Sequence, residues 1–179
     1  MTSLDFIVDK ELKRTLEDSI EFIFALHNSS KLTNQNILYQ EETCRVIILY
    51  VISAIEAVLL YFFKLRGEKM EKLEYRFVHQ FPAEYSHKHK ANLPLVVAVQ
   101  ENIVRQDYEI GLHSLVTFFK EKKLIIKETA RKILELNDVR NTFHFSKIRD
   151  KKCDLGRVEE ALALLLYTLE KAPRGLRKI

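Results

Sequence analysis

The sequence predicts an all-α protein, a single-domain up-down bundle of about five to seven helices over residues 1–179. Three observations support this fold class. The chain has four glycines and three prolines, which is few for a strand-rich fold with its many turns. Apolar residues recur at every third or fourth position along most of the chain, the spacing of one helical face. Hydrophobic residues make up 47% of it, enough to bury a core without disulfides or a structural metal.

This periodicity predicts each helix in turn. The segments with a helical pattern are residues 4–27, 46–63, 68–80, 95–104, 112–122, 127–145 and 155–172. Asp154 directly precedes the last of them and is its predicted N-cap. The positions expected to be buried in that helix are Val158, Ala161, Leu162, Leu165, Leu166 and Leu169.

Residues 46–63 form the most apolar run of the chain. Its length touches the lower bound for a bilayer span, about 17–20 residues. Glu56 lies at its middle, where a charge is costly in lipid, and no second span follows. We therefore interpret the run as a central buried helix and keep a membrane segment as the alternative. The Glu56 carboxylate then needs a cation or several donors, and Arg140 or a basic neighbour is the predicted partner.

Polar residues continue the apolar face of the predicted helix over residues 127–145. The apolar stripe of this helix consists of Ile126, Ala130, Ile133 and Leu134. At about 100° per residue, the polar residues on or beside the same face are Asn137, Arg140, Asn141 and His144. An unsatisfied buried polar group costs about 1–3 kcal/mol. The four side chains are therefore predicted to form an internal hydrogen-bond network or to line a ligand cleft.

Charge and cysteine content restrict the function classes. A net charge of +4 is too small to indicate nucleic acid binding by itself. The basic patch next to the predicted site consists of Lys147, Arg149, Lys151 and Lys152. Cys44 and Cys153 are expected to be reduced thiols in a cytoplasmic protein, and the first residues lack the pattern of a secretory signal. No further ligands at metal spacing accompany His87 and His89, so we expect no metal and no cofactor.

Arg140 and His144 offer a chemistry for cleaving RNA without metal. On a helix, side chains four residues apart project from one face. A guanidinium holds a phosphate bidentately, and an imidazole can take or give a proton near neutral pH. Asn141 would orient the imidazole or contact the phosphate. Because this reaction normally uses both an acid and a base, a two-fold dimer with two copies face to face is expected to supply the second set.

The same residues also fit a non-catalytic protein. An arginine and a histidine one turn apart are common, and a buried Arg140–Glu56 pair would explain polar groups on the inner face. The chain would then be a binding or scaffold module that recognises RNA, a nucleotide or a partner protein.

The segment Leu136-Asn137-Asp138-Val139-Arg140-Asn141-Thr142-Phe143-His144-Phe145 resembles the signature of the HEPN superfamily of small all-α domains. In that superfamily an arginine, usually followed by Asn, Asp or His, precedes a histidine near the end of a late helix. The helix after the segment and the earlier helix around Glu56 also fit. The resemblance covers residues 41–172, with residues 1–40 as an N-terminal helix and connection packing on it.

This resemblance implies a metal-independent endoribonuclease that cleaves RNA at a composite homodimer cleft. Many members are toxins or antiviral effectors, which adds an antitoxin or a defence-system protein as a partner. By resemblance Arg140 and His144 would be catalytic with Asn141 beside them, and Glu56 would be a network residue. Asn137 is added to that network because it lies on the same face of the predicted helix. Members usually have four to six residues between the arginine and the histidine, whereas this chain has three. On a continuous helix this spacing keeps both side chains on one face, and a variant that binds without cutting is the alternative.

Overall fold

The computed structural model describes residues 4–31, 36–81, 96–142 and 153–176. These segments form five α-helices, a two-stranded sheet and a short 3-10 helix. In chain order they are α1 (Lys10–Ser30), α2 (Ile37–Leu65), β1 (Glu71–Gln80), β2 (Val96–Val104), the 3-10 helix (Asp107–Glu109), α3 (Leu112–Glu121), α4 (Lys127–Asn141) and α5 (Leu155–Leu176). The chain divides into a helical unit, Met1–Glu68 with Gly111–Ile179, and a hairpin unit, Lys69–Ile110. The assignment of residues 1–179 to one domain stays a prediction.

Helix α2 is the centre of the helical unit. It contacts each of the other four helices, and it has buried side chains on every turn from Thr43 to Phe63. The prediction of a central buried helix is confirmed, although the helix is longer at both ends than the apolar run. Among the described residues, α2 is also the one helix long and apolar enough to cross a membrane, a test that core helices pass as well. The cytoplasmic location stays a prediction.

Capping side chains determine where α1 and α5 begin. Asp9 Oδ1 accepts hydrogen bonds from the backbone N–H groups of Glu11 and Leu12, both at 3.0 Å, so α1 begins later than predicted. The predicted N-cap of α5 is confirmed, because the backbone N–H of Arg157 donates to Asp154 Oδ1 at 3.0 Å. The positions predicted to be buried in α5 are buried except Leu166, which is 40% exposed, and Leu164 and Thr168 are buried in addition.

The all-α prediction is wrong, because the hairpin unit contains strands where residues 68–80 and 95–104 are predicted to be helical. Strand β1 pairs with β2 in antiparallel register, from Glu71 opposite Val104 to Gln80 opposite Val96. The register shifts between Phe77 and His79. The protein is therefore mostly helical with a β-hairpin, a mixed α/β architecture.

Alternation in the sequence of β1 explains this difference. Leu73, Tyr75 and Phe77 fall on one side of the strand. The charged residues between and before them are Lys72, Glu74 and Arg76. This period of two indicates a strand, whereas the helical interpretation used Leu73 and Phe77 and left out Tyr75. In β2 the many valines favour a strand for the same physical reason, because a branched β-carbon packs well on a pleated surface.

Both cysteines lie in the core of the helical unit as free thiols. Cys44 on α2 and Cys153 just before α5 are 0% and 1% exposed. Burial raises the pKa of the Cys44 thiol to about 11, and burial also raises the pKa of the Cys153 thiol. The thiolate is the reactive form of cysteine, so both groups are protected by inaccessibility and by protonation.

We expect neither thiol to react with a disulfide reagent such as Ellman's reagent in the native protein at mildly alkaline pH. Both should react at once after unfolding in guanidinium chloride, because unfolding removes the burial that raises their pKa values. Absorbance of the released thiolate measures the reaction. Rapid reaction of either thiol in the native state would contradict the burial of both side chains.

Candidate functional site

Helix α4 turns its apolar side into the helical unit. Its buried residues are Thr129, Ala130, Ile133, Leu136 and Val139. Ile126, by contrast, is the N-cap of the helix and is 61% exposed. Asn137 and Arg140 border the buried side and are half-buried, whereas Asn141 is exposed. The prediction that all the polar residues face inward is therefore wrong for Asn141.

The carboxylate of Glu56 joins three helices. Its Oε2 accepts a hydrogen bond from Arg140 Nη1, on α4, at 2.6 Å. Its Oε1 accepts a hydrogen bond from the backbone N–H of Leu112 at 2.7 Å. Leu112 is the first residue of α3, where unpaired N–H groups and the helix dipole favour a negative charge. The predicted Arg140–Glu56 ion pair is thus present, and both carboxylate oxygens have a partner.

Arg140 is held through one nitrogen of its guanidinium. Its side chain is 31% exposed, and that of Glu56 is 23% exposed. In the described part of the chain, no residue hydrogen bonds to the edge formed by its Nε and Nη2. Such an edge presents two parallel N–H groups, which match two oxygens of a phosphate. The ion pair therefore orients the guanidinium through Nη1 and leaves the Nε–Nη2 edge without a hydrogen-bond partner among the described residues.

Asn137 and Asn141 stand at different places around this pair. Asn137 lies one turn before Arg140 and is half-buried, but it is not part of the hydrogen bonds that join Glu56 to Arg140 and Leu112. Asn141 is the last residue of α4 and follows Arg140 by about 100° around the helix. Its exposed amide offers donors and an acceptor to a ligand in solution.

Helix α4 ends before it reaches His144. Its last residue is Asn141 and its C-cap is Thr142, whose backbone N–H donates to the Val139 carbonyl at 3.0 Å. The prediction that the helix runs to residue 145 is therefore wrong, and so is the argument that Arg140 and His144 share one face of a continuous helix. The predicted site residues that lie outside the described residues are His144, Lys147, Arg149, Lys151 and Lys152. The roles of these five stay predictions.

Two groups at this site were missed by the sequence analysis. One is the backbone N–H of Leu112, although the predicted start of a helix there already implied a place for an anion. The other is Arg45 on α2, which is 4% exposed and whose Nη1 donates to Thr142 Oγ1 at 3.3 Å. In the sequence, Arg45 directly precedes the apolar run, a position at which a charged side chain is expected to face solvent. Its helical phase was the available signal, because it shares a face with Glu56.

Comparison of the chain with protein-family models, with curated proteins and with solved structures found no match. The likeness to HEPN domains therefore rests on the segment from Leu136 to Phe145 and its neighbouring helices. The function is proposed from this segment and from the geometry around Arg140.

We expect Glu56→Ala to lower the free energy of unfolding by about 2–4 kcal/mol, because it leaves a half-buried guanidinium and a helix N-terminus without their acceptor. Glu56→Gln should cost less, since an amide oxygen still accepts from the Leu112 N–H. Urea denaturation measures both.

Glu135→Gln is the matched control. Glu135 pairs with Arg131 on the exposed side of α4, so its loss should leave the urea midpoint nearly unchanged. Equal effects of Glu56→Ala and Glu135→Gln would show that the carboxylate of Glu56 does not hold the three helices together.

Proposed function

We propose that the protein is a metal-independent endoribonuclease of the HEPN type. Arg140 and His144 are the proposed catalytic residues, and Asn141 contacts the scissile phosphate or orients the imidazole. The observation that supports this most is the half-buried guanidinium of Arg140, which Glu56 binds through one nitrogen, while no described residue hydrogen bonds to its Nε–Nη2 edge. The order of Arg140, Asn141 and His144 in the sequence supports the same assignment.

In the proposed reaction the ribose 2′-oxygen attacks the adjacent phosphorus and the 5′-oxygen leaves. The His144 imidazole takes the 2′-hydroxyl proton, and a second acid returns a proton to the leaving oxygen. The open edge of Arg140 binds the non-bridging phosphate oxygens, where negative charge grows in the transition state. Every step uses groups that protein side chains provide at neutral pH, so the reaction requires no metal.

The proposed substrate is single-stranded or loop RNA, because unstacked nucleotides reach a protein cleft most easily. A homodimer would bring a second copy of the residues to the cleft and would supply the second acid or base. The likeness to HEPN domains extends the proposal to a toxin or antiviral effector in the cytoplasm, with an antitoxin or another defence protein as its regulator.

A non-catalytic scaffold is the second candidate, and the three-way contact of Glu56 favours it. Arg140 and the Leu112 N–H both bind the same carboxylate, so Arg140 has a structural reason to be present whether or not RNA is cut. In this case the open edge of Arg140 and the amide of Asn141 would bind RNA, a nucleotide or a partner protein. Stability and cleavage in the same variants separate the two candidates.

Arg140→Ala is expected to lower kcat/KM for RNA cleavage by about 100-fold or more, because charge stabilisation of the transition state is lost. His144→Ala should lower it at least as far through loss of the base. Arg140→Lys should not retain wild-type activity, since an ammonium cannot bind two phosphate oxygens in parallel. Gel assays on structured and unstructured RNAs, with excess chelator present, measure cleavage.

Arg131→Ala is the control, because Arg131 lies on the same helix but on its exposed side, paired with Glu128 and Glu135. It should cleave as wild type does. An unreactive wild-type protein, or Arg140→Ala and His144→Ala with wild-type rates, would exclude the nuclease. A large loss of thermal stability in Arg140→Ala without any cleavage by wild type would support the scaffold.

The dimer makes a separate prediction. Light scattering on the purified protein should give twice the 21.1 kDa mass of one chain at the concentrations at which cleavage is measured. When dilution dissociates the dimer, the cleavage rate should fall more steeply than the protein concentration, because each cleft needs two copies. A monomer with undiminished specific activity would contradict the composite cleft.

A further inference from the structure

The hairpin unit exposes apolar side chains that its two strands do not cover. In β1 the side chains of Leu73, Tyr75 and Phe77 share one face and are 61%, 74% and 59% exposed. Val96 and Ala98 of β2 lie on the same face and are exposed as well. A two-stranded hairpin by itself is at best marginally stable in water, and a contiguous exposed apolar patch marks an interaction site. Covering this face and its edge would therefore stabilise the hairpin.

One edge of β1 is open to a further strand. In the described part of the chain β1 pairs with β2 alone, and the unpaired N–H and C=O groups of an edge strand are a template for pairing with another chain. Strand β1 has ten residues without proline or glycine, a length of about 33 Å. Its charged residues Lys72, Glu74 and Arg76 alternate in sign along the face opposite the aromatic side chains. This alternation restricts which strand can pair there.

The charges of β1 are complementary to those of a second β1. When two copies of a strand pair antiparallel about a two-fold axis, one residue lies opposite itself, and residues equally far before and after it lie opposite each other. With Tyr75 at the axis, Glu74 lies opposite Arg76 of the second copy, and Leu73 lies opposite Phe77. The symmetry repeats each pair. All five residues precede the register shift in β1, so the pairing uses its regular part.

Neighbouring registers are unfavourable. An axis at Glu74 places this carboxylate opposite itself and Lys72 opposite Arg76, and an axis at Arg76 places two guanidinium groups opposite each other. Like charges directly opposite destabilise a sheet. An axis at Leu73 also pairs Lys72 with Glu74, but it extends within β1 only from Glu71 to Tyr75. The register about Tyr75 combines opposite charges with the longer overlap.

Strand β2 does not offer the same complementarity at its edge. Its one charged residue is Glu101, so two copies of β2 cannot place opposite charges against each other. Within the chain, Arg76 Nη1 lies 3.6 Å from Glu101, and Lys72 Nζ lies 2.5 Å from Glu74. Arg76 and Glu74 remain 75% and 46% exposed. Both side chains can therefore accept a further partner at the open edge of β1.

We propose that β1 is an interface between two copies of this chain, which pair antiparallel through its open edge with Tyr75 at the two-fold axis. The two hairpins then form one continuous sheet in the order β2-β1-β1-β2. The added ladder uses the unpaired backbone groups of β1, and Leu73 of each copy contacts Phe77 of the other. The inference involves the hairpin unit alone and does not rest on the proposed nuclease.

Charge reversal tests this interface. Glu74→Arg and Arg76→Glu should each raise the dissociation constant of the dimer by about 10-fold or more, because each places like charges opposite one another twice. An equimolar mixture of the two variants should form a heterodimer, since every arginine at these positions then lies opposite a glutamate. Analytical ultracentrifugation of each variant and of the mixture measures association.

Glu101→Arg is the matched control. It changes the charge by the same amount as Glu74→Arg and removes the partner of Arg76 within the chain, but it lies on β2, so the dissociation constant should stay nearly unchanged. Equal weakening by Glu101→Arg and Glu74→Arg would overturn the interface. A monomeric wild type, or a mixture of the two charge-reversed variants that stays monomeric, would overturn it too. None of these results depends on whether the protein cleaves RNA.

Disulfide formation tests the register. Tyr75→Cys should give covalent dimers with oxidised glutathione, because directly opposed residues have Cα atoms about 4.5–5.5 Å apart, a distance that a disulfide spans. Leu73→Cys should not crosslink to its own copy, about 14 Å away along the strands, but should crosslink to Phe77→Cys in a mixture. The native cysteines are buried and do not compete. Non-reducing electrophoresis measures the products, and covalent dimers of Leu73→Cys alone in place of Tyr75→Cys would overturn the proposed pairing.

Discussion

The carboxylate of Glu56 is the constraint on which the arrangement of the helical unit depends. A charged group at the middle of the most apolar helix is stable only with donors that replace water. Two such donors are present, the Arg140 guanidinium on α4 and the first backbone N–H of α3. Because the two donors come from different helices, α3 and α4 are each fixed against the same point of α2. Apolar packing alone is tolerant of small rotations, whereas a carboxylate with two short hydrogen bonds is not.

The charges around the same carboxylate bear on the proposal that Arg140 binds a phosphate. The N-terminal end of a helix acts as roughly half a positive charge, and the N-terminus of α3 adds this to the full charge of Arg140. Glu56 contributes one negative charge, so the net charge of Glu56, Arg140 and the N-terminus of α3 is roughly half a positive charge. A phosphate bound at the Nε–Nη2 edge of Arg140, as proposed, would therefore be attracted by a net positive charge and would not face an electrically neutral ion pair. The positive end of the α3 dipole neutralises part of the charge of Glu56, so Glu56 neutralises Arg140 less completely.

The sequence was sufficient for the features that depend on a strong local signal. The apolar run and its single charge predicted both α2 and the pairing of Glu56 with Arg140, because a buried carboxylate restricts its partners to very few residues. It was not sufficient for the hairpin, where the helical spacing of Leu73 and Phe77 competed with the alternation that includes Tyr75. The helical phase of Arg45 placed it on the same face of α2 as Glu56 but could not show its burial, because burial at the edge of an apolar run depends on what the rest of the chain packs against it. The end of α4 was also misplaced: the helix ends at Asn141 and is capped by Thr142, which contacts Arg45, a residue distant in sequence.

The end of α4 changes how the spacing between Arg140 and His144 must be interpreted. On a continuous helix each inserted residue would rotate His144 by about 100° relative to Arg140, so three intervening residues and four would give different sites. Helix α4 stops at Asn141, and the number of residues to His144 is therefore not a helical phase. The short spacing of this chain, compared with HEPN domains in general, is therefore no argument that the two side chains share a helical face. Within the described residues, the last turn of α4 is tied to α2 at two places, by Glu56, which binds Arg140, and by Arg45, which binds Thr142.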